Sequence, residues 1–390
     1  MNVRKLNVSQ YQKLITQLVE ARLNAVKAKD YDFNIPTFIW GPPGIGKSQI
    51  IADICKKNSW DVFDLRLSQT DPSEIKGMPY IDQKTGKADF LRFESILPNP
   101  NSDKPTILLL DEFPQASDMV QSAAYQLIND RSVGDYKLPL NAVVIAAGNR
   151  EDDGGVFFEM PGALKNRFDH IELDIDFDGF VKYMGSKTYD ETLVAYLQYN
   201  RKADTGKIYD YKPELNNFPT FRSWEKAAKK VQYGQDFSSA ISDSVGQHIS
   251  VDFEVFKELT KDIPEADKLV GKKTYYEEVE KQLVACQKVG NSLLKEELRS
   301  KLSDTEKWNH FNYFVDMRNP ADKDDKREEL TILMLTNMKE DFDTLEEVNE
   351  GFVKELAAGN IKLSKEDKKE IDNVYTLIFK KWNILNEIDN

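Results

Sequence analysis

The chain of 390 residues carries 53 lysines and arginines against 66 aspartates and glutamates, a formal net charge of −13. With 40% apolar and 31% charged residues it has a globular composition. Its acidic balance argues against a broad nucleic-acid-binding surface, although a local basic channel stays open. The two cysteines, Cys55 and Cys286, argue against a disulfide framework, and with three scattered histidines they give no zinc-type spacing. Since there is no apolar signal core and no window of about 18 apolar residues, we expect a cytoplasmic protein without a membrane span.

A glycine-rich phosphate-binding motif stands out in the first part of the chain. Residues 38–40 predict a buried strand, residues 41–48 read G-x-x-x-x-G-K-S, and residues 48–56 are compatible with a helix. This flanking context disfavours the alternative, a chance glycine-rich turn. We expect Lys47 to reach the β and γ phosphates of a bound nucleotide and the Ser48 hydroxyl to hold Mg²⁺. The residues expected to bind the nucleotide are Gly41, Pro43, Gly44, Ile45, Gly46, Lys47, Ser48 and Gln49.

The rest of the first half alternates predicted strands with predicted helices. The predicted strands cover 61–67, 106–110, 142–147 and 170–174, and the predicted helices cover 9–29, 117–129 and a short stretch from Asp71. Two hairpins are also predicted: one over 78–93, with a turn at 83–87, and one over 130–139. This alternation predicts an α/β fold with a parallel sheet and right-handed crossovers, whose chemistry lies at the carboxyl ends of the strands.

Three polar residues follow two of these buried strands. Asp111 and Glu112 come directly after the apolar run 106–110, where the first can hold Mg²⁺ and the second can deprotonate an attacking water. Alone they read as two exposed acids at a strand end, but beside the phosphate-binding motif we expect the catalytic roles. Asn149 follows the strand 142–147 and its amide is expected to hold the attacking water, the alternative being an ordinary turn residue.

Arginines supply the remaining candidates. Arg167, just before the last strand, is expected to point out of its own subunit and stabilise transition-state charge on a neighbour's nucleotide. Arg222 is expected to contact the γ-phosphate within its own subunit. The alternative for Arg167 is a solvated surface arginine, and the alternative for Arg222 is a structural salt bridge. Arg131 and Arg150 are weaker candidates for a contact in trans.

Strand signals fade after about residue 175, and helical patterns take over. Helices are predicted over 176–200, over 225–233 and on to about 262, with an exposed polar loop over 201–217 and a polar break from Asn319. The expected domains are an α/β nucleotide-binding domain over 1–175, a helical lid over 176–270 and a helical C-terminal extension over 271–390.

In this order the motifs resemble those of AAA+ ATPases, and the bacterial and phage MoxR-type branch matches best. Beyond the phosphate-binding loop, the branch-like segments are the Asp-Leu-Arg-Leu-Ser-Gln run from Asp64, Met160-Pro-x-x-Leu-x-Asn-Arg167-Phe, and Arg222-Ser-Trp-Glu. The resemblance covers about residues 10–262, and Arg150 departs from it where MoxR proteins often carry proline. It places Lys47 and Ser48 in Walker A and Asp111 and Glu112 in Walker B; Asn149 is sensor 1, Arg167 the arginine finger and Arg222 sensor 2.

Such proteins are typically hexameric rings that hydrolyse ATP between subunits and remodel client proteins, many with a partner carrying a von Willebrand A domain. The resemblance implies that role here, with the two hairpins facing the pore or a partner; the alternative for each is an ordinary surface hairpin. Two other functions stay open. One is a nucleic-acid motor on the same fold, which the acidic balance disfavours. The other is a nucleotide-switched binding module, for which the set of Glu112, Asn149 and Arg167 would be unnecessary.

Overall fold

The computed structural model describes residues 3–317 and 348, apart from 82, 84–87, 92, 94–95, 154–156, 188, 202–204, 273, 277 and 295. The chain divides into two compact units, Met1–Gly179 and Phe180–Asn390.

The described residues of the first unit form a parallel sheet, two small hairpins and five α-helices. Its strands are β1 (Arg4–Leu6), β2 (Thr37–Trp40), β3 (Asp61–Arg66), β4 (Met78–Ile81), β5 (Ala88–Leu91), β6 (Thr106–Asp111), β7 (Ser132–Val133), β8 (Tyr136–Lys137), β9 (Ala142–Gly148) and β10 (Asp169–Leu173). Its helices are α1 (Val8–Lys27), α2 (Lys47–Asn58), α3 (Pro72–Lys76), α4 (Asp118–Asp130) and α5 (Gly162–Lys165).

Six strands form one sheet in the order β1-β10-β2-β9-β6-β3, and every neighbouring pair is parallel. All seven residues of β9 and the first five of β6 are buried, as expected for strands covered on both faces. The arrangement confirms the predicted α/β class. It also brings the carboxyl ends of β2, β3, β6 and β9 to a single edge of the sheet.

The edge strand β1 was not predicted. It has three residues, of which only Leu6 is buried, so it shows no usable periodicity. The strand leads directly into α1, where Asn7 and Gln10 form a reciprocal capping box. Tyr11 and Ile15 then face the core from the first two turns of that helix.

Both predicted hairpins form, but they differ in burial. The strands β4 and β5 pair antiparallel from Met78 opposite Leu91 to Ile81 opposite Ala88; residues 84–87 of the predicted turn lie outside the described residues. In the second hairpin, β7–β8, Val133 and Tyr136 are buried in the core. The first hairpin is therefore the one that offers apolar side chains to solvent.

Every described element of the second unit is a helix. They are α6 (Phe177–Ser186), which begins in the first unit, α7 (Glu191–Tyr199), α8 (Phe221–Gln232), α9 (Phe237–Ser244), α10 (Gln247–Thr260), α11 (Ala266–Lys272), α12 (Val279–Leu294), α13 (Glu296–Arg299) and α14 (Asp304–Met317). None of the helices in the described part of the chain is long and apolar enough to cross a membrane.

Three expectations for this half need correction. The single helix predicted over 176–200 is two helices, because Asp190 caps a new N-terminus by accepting from the backbone N–H groups of Thr192 and Leu193. The loop 201–217 is not wholly exposed, since Ile208 is fully buried. The helix predicted from residue 225 begins at Phe221, where Thr220 provides a capping box.

The predicted boundary between lid and extension, at 270/271, falls inside α11. Of the predicted extension, residues 318–347 and 349–390, including the polar break from Asn319, lie outside the described residues. The division into three domains stays a prediction.

Candidate active site

The loop between β2 and α2 has the backbone shape that a phosphate cradle needs. Gly44 and Gly46 adopt positive φ angles of 77° and 94°, a region that residues with a Cβ seldom occupy. A Cβ on Gly41 would lie 2.9 Å from the Leu173 carbonyl oxygen, so the loop packs directly against β10. Gly46 at the N-cap of α2 has no side chain to cap the helix, and the positive dipole end of α2 can hold an anion at this loop.

Lys47 is buried at the centre of this loop. Its ammonium group donates to the carbonyl oxygens of Gly41 at 2.6 Å and Pro42 at 3.0 Å, and to Oδ1 of Asn149 at 2.9 Å. The register explains the last contact, because Trp40 pairs with Gly148 and so places Asn149 beside the loop. The predicted phosphate-binding lysine and the predicted water-holding amide are thus in direct contact.

The first turn of α2 is held from two sides. Ser48 Oγ donates to Oδ2 of Asp111 at 2.5 Å, which joins the phosphate loop to the end of β6. On the other side, the Tyr11 hydroxyl of α1 donates to the Lys47 carbonyl oxygen at 3.3 Å. Burial, reinforced by the negative charge of Asp111, raises the pKa of Tyr11 and keeps this hydroxyl protonated as a donor.

A hydroxyl and a carboxylate oxygen in contact are the donor types that Mg²⁺ prefers, so Ser48 and Asp111 fit the predicted metal site.

Glu112 lies next to this pair in an unusual backbone conformation. Its φ is 55°, in the left-handed region, and its own N–H donates to Oδ1 of Asp111 at 2.9 Å. The Ser68 hydroxyl donates to its carboxylate. Ser68 follows β3, whose last residue, Arg66, pairs with Asp111. Ser68 therefore lies at the site; it belongs to the family-like run from Asp64, for which no role was predicted.

Arg167 lies away from the loop of its own chain. It precedes β10, whose first residue, Asp169, pairs with Thr37 at the start of β2. Gly41 is four residues further on, about 13 Å along the strand direction. The arginine is exposed and makes no ion pair with any residue that the structure describes.

The other three arginines differ in their surroundings. Arg222, the second residue of α8, is exposed in the second unit and forms no ion pair within the described part of the chain. Arg150 pairs with Glu172. Arg131 donates to the Pro139 carbonyl oxygen at 2.9 Å, and burial lowers its pKa to about 9. Arg150 and Arg131 are thus engaged within their own unit.

Comparison with known families gives a match over this unit. Residues 37–174 match the family AAA, "ATPase family associated with various cellular activities". This segment is therefore an AAA domain, and with the parallel sheet it confirms the predicted P-loop NTPase fold followed by helices. None of the curated proteins matches the sequence.

Among solved structures, the chain resembles RuvB, the Holliday junction branch migration motor of Thermotoga maritima. The identity is 14% and the TM-score 0.34, over 83% of this chain and 87% of the other. A point mutant of the same RuvB gives 14% identity and a TM-score of 0.36, over 83% of this chain and 88% of the other. These scores are low, so no property of RuvB is transferred to this chain.

Proposed function

Because residues 37–174 form an AAA domain, we propose that the chain is an ATP-hydrolysing AAA+ ring ATPase that remodels a client protein. The observation that supports it best is the meeting of five predicted side chains at one sheet edge. Lys47 contacts Asn149, Ser48 contacts Asp111, and Glu112 is adjacent.

Each of these side chains has a distinct part in hydrolysis. Lys47 binds the phosphates of ATP, exchanging one of its present oxygen acceptors for a phosphate oxygen. Ser48 and Asp111 would hold Mg²⁺, which supplies positive charge to the phosphate oxygens when bound. Glu112 takes the proton of the attacking water, and Asn149 orients that water.

Arg167 supports the ring. It lies two residues before Asp169, whose partner Thr37 is about 13 Å along the strand from Gly41, so we assign Arg167 to a nucleotide on a neighbouring subunit. The MoxR resemblance favours a hexamer. By the same resemblance we assign Arg222 the sensor 2 role, binding the γ-phosphate.

The client-remodelling part rests on the hairpin β4–β5. Ile81 is 71% exposed, Leu91 59% and Met78 55%, an apolar surface of the kind that binds other proteins. By the MoxR resemblance we assign this surface to a client protein, with a von Willebrand A domain protein as the co-operating partner, in the cytoplasm.

The decisive experiment replaces Glu112 by Gln, which keeps the shape of the side chain and removes the base. We expect ATP binding to persist while the turnover number falls about 10²- to 10⁴-fold. Glu20→Gln, at an exposed position of α1, is the matched control and should turn over like the wild type. Wild-type activity per subunit should fall on dilution, because each active site needs a neighbour's Arg167.

Three outcomes would contradict the proposal. Full turnover in Glu112→Gln would exclude Glu112 as the base. Stimulation by nucleic acid with a steep salt dependence would favour the nucleic-acid motor. Tight ATP binding without turnover in the wild type, unaffected by dilution, would favour a nucleotide-switched module.

A further inference from the structure

His170 links the segment that carries Arg167 to the strand that carries the phosphate loop. On one side its Nδ1 is 3.0 Å from Nε1 of Trp40, the residue before Gly41. On the other side its Nε2 is 2.7 Å from the carbonyl oxygen of Lys165, the last residue of α5. The second contact closes the chain from residue 165 to residue 170 into a ring that contains Arg167.

The chemistry of the two partners fixes the protonation of the imidazole. An indole N–H only donates, so Nδ1 of His170 must accept. A carbonyl oxygen only accepts, so Nε2 must carry the proton. His170 is therefore the neutral Nε2–H tautomer, and both of its hydrogen bonds are directional.

Aromatic packing surrounds this link. The imidazole and the Trp40 ring lie nearly parallel at a centroid distance of 6.1 Å, and the Phe38 ring lies 5.8 Å from the imidazole. Phe168, which follows Arg167, and Phe113, which follows Glu112, pack edge-to-face at 5.9 Å, and each packs on Phe38. Trp40, Phe113 and Phe168, the chain neighbours of Gly41, Glu112 and Arg167, thus meet in one aromatic cluster. Within it, His170 makes hydrogen bonds to both β2 and α5.

The Arg167 segment is short, and several contacts hold it. Helix α5 has only four residues, too few to be stable without tertiary contacts. Leu164 and Phe168 are buried on either side of Arg167, and the Asp169 N–H donates to the Pro36 carbonyl oxygen at 2.9 Å. The hydrogen bond from His170 adds a side-chain link that ends on the last residue of α5.

We propose that His170 is the positioning residue for the trans arginine: through Trp40 and Lys165 it holds the Arg167 segment on the strand of the phosphate loop. The proposal rests on the trans role of Arg167 proposed above. In a ring, this link connects the nucleotide loop of one subunit with the arginine that it presents to the next.

The test is His170→Phe, which keeps an aromatic ring in the stack and removes both hydrogen bonds. We expect kcat to fall roughly 10- to 100-fold, as for a displaced catalytic group, with the KM for ATP within about twofold of wild type. Trp40→Phe removes the indole N–H, together with the second ring of the indole, and should lower kcat in the same direction. The double variant should be no worse than His170→Phe alone, because both changes break one link. His248→Phe, at an exposed position of α10, is the matched control and should leave kcat unchanged.

Mixing subunits separates positioning from a general structural role. Glu112→Gln subunits lack the base but still present an intact Arg167. Mixed with equal amounts of His170→Phe subunits, they should restore activity, because about a quarter of the interfaces then join a working base to a working arginine. Arg167→Ala subunits mixed in the same way are the reference for full complementation.

Each outcome decides a separate point. Restoration of His170→Phe to the level of Arg167→Ala supports the proposal. If Arg167→Ala is restored and His170→Phe is not, His170 acts on its own nucleotide site and the proposal is wrong. It is equally wrong if both His170→Phe and Trp40→Phe keep wild-type kcat while Arg167→Ala is inactive. If Arg167→Ala itself stays active, or is not restored, the trans role of the arginine fails, whatever His170 does.

Discussion

Replacing Gly148 by Ala tests how closely the strand end beside Asn149 fits the turn that carries Glu112. A Cβ at this position would lie 2.2 Å from Cδ and 2.6 Å from Cγ of Pro114. Ordinary carbon contacts lie near 3.5–4.0 Å, so the two segments must separate by about 1 Å. The proline ring cannot swing aside as a flexible side chain would, and its carbonyl oxygen is held by the Phe158 N–H at 2.7 Å.

We expect two measurable effects. Overpacking of this kind costs about 1–3 kcal/mol of unfolding free energy. At about 2 kcal/mol, the midpoint of thermal unfolding falls by about 4–8 °C for a unit of this size. Because Pro114 is two residues from Glu112, the proposed base, a shift of about 1 Å should also displace Glu112 and lower kcat by up to about 10²-fold.

The measurements are thermal unfolding and steady-state ATP hydrolysis of Gly148→Ala. The matched control is Gly271→Ala in α11, where an added Cβ meets no atom within 4 Å. That variant should unfold at or slightly above the wild-type temperature, because alanine favours the helix. If Gly148→Ala matches the control in both stability and kcat, the close packing of β9 on the Glu112 turn is refuted.

Two further predictions concern ionisable groups. Burial alone would raise the pKa of Glu225, but hydrogen bonds from Lys229, Tyr183 and Tyr189 outweigh it, so the folded-state pKa lies below its usual 4.5. The stability that this carboxylate contributes is present above pH 4.5 and is lost as the pH falls through the folded-state pKa. In Glu225→Gln, the free energy of unfolding should therefore depend less on pH over this range. An unchanged pH dependence would contradict the assignment. Burial raises the pKa of the Cys55 thiol to about 11 and that of Cys286 to about 12, so a thiol reagent at pH 8 should label neither until the protein unfolds, and rapid labelling of the native protein would refute their burial.

Motif spacing was enough to predict the parallel sheet and where its polar residues meet. The run that ends in Asp111 is so apolar that a strand buried on both faces was the natural interpretation. In a parallel sheet the neighbouring strand ends then had to share an edge. The contacts of Lys47 with Asn149, and of Ser48 with Asp111, follow from that topology.

The site residues that were not predicted make contacts between segments that are far apart in the sequence. Ser68 reaches Glu112 only because β3 pairs with β6, a register that the sequence does not state. His170 looked like an isolated histidine. Its signal was the recurrence of aromatic residues two apart, Phe38 and Trp40 on β2 and Phe168 and His170 at the start of β10, two strands that turn out to be neighbours. Without the strand order, such a pattern cannot be distinguished from ordinary core packing.

The two outer strands of the six-stranded sheet bear on how subunits can join. At one margin β1 is only three residues long and presents exposed Arg4 and Lys5. At the other margin β3 carries Asp61, which pairs with Lys104 at 3.3 Å. The short β1 and the charged side chains at both margins oppose the addition of a further strand from another copy. We therefore expect the closed assembly proposed here to form through loops and helices rather than by continuing the sheet.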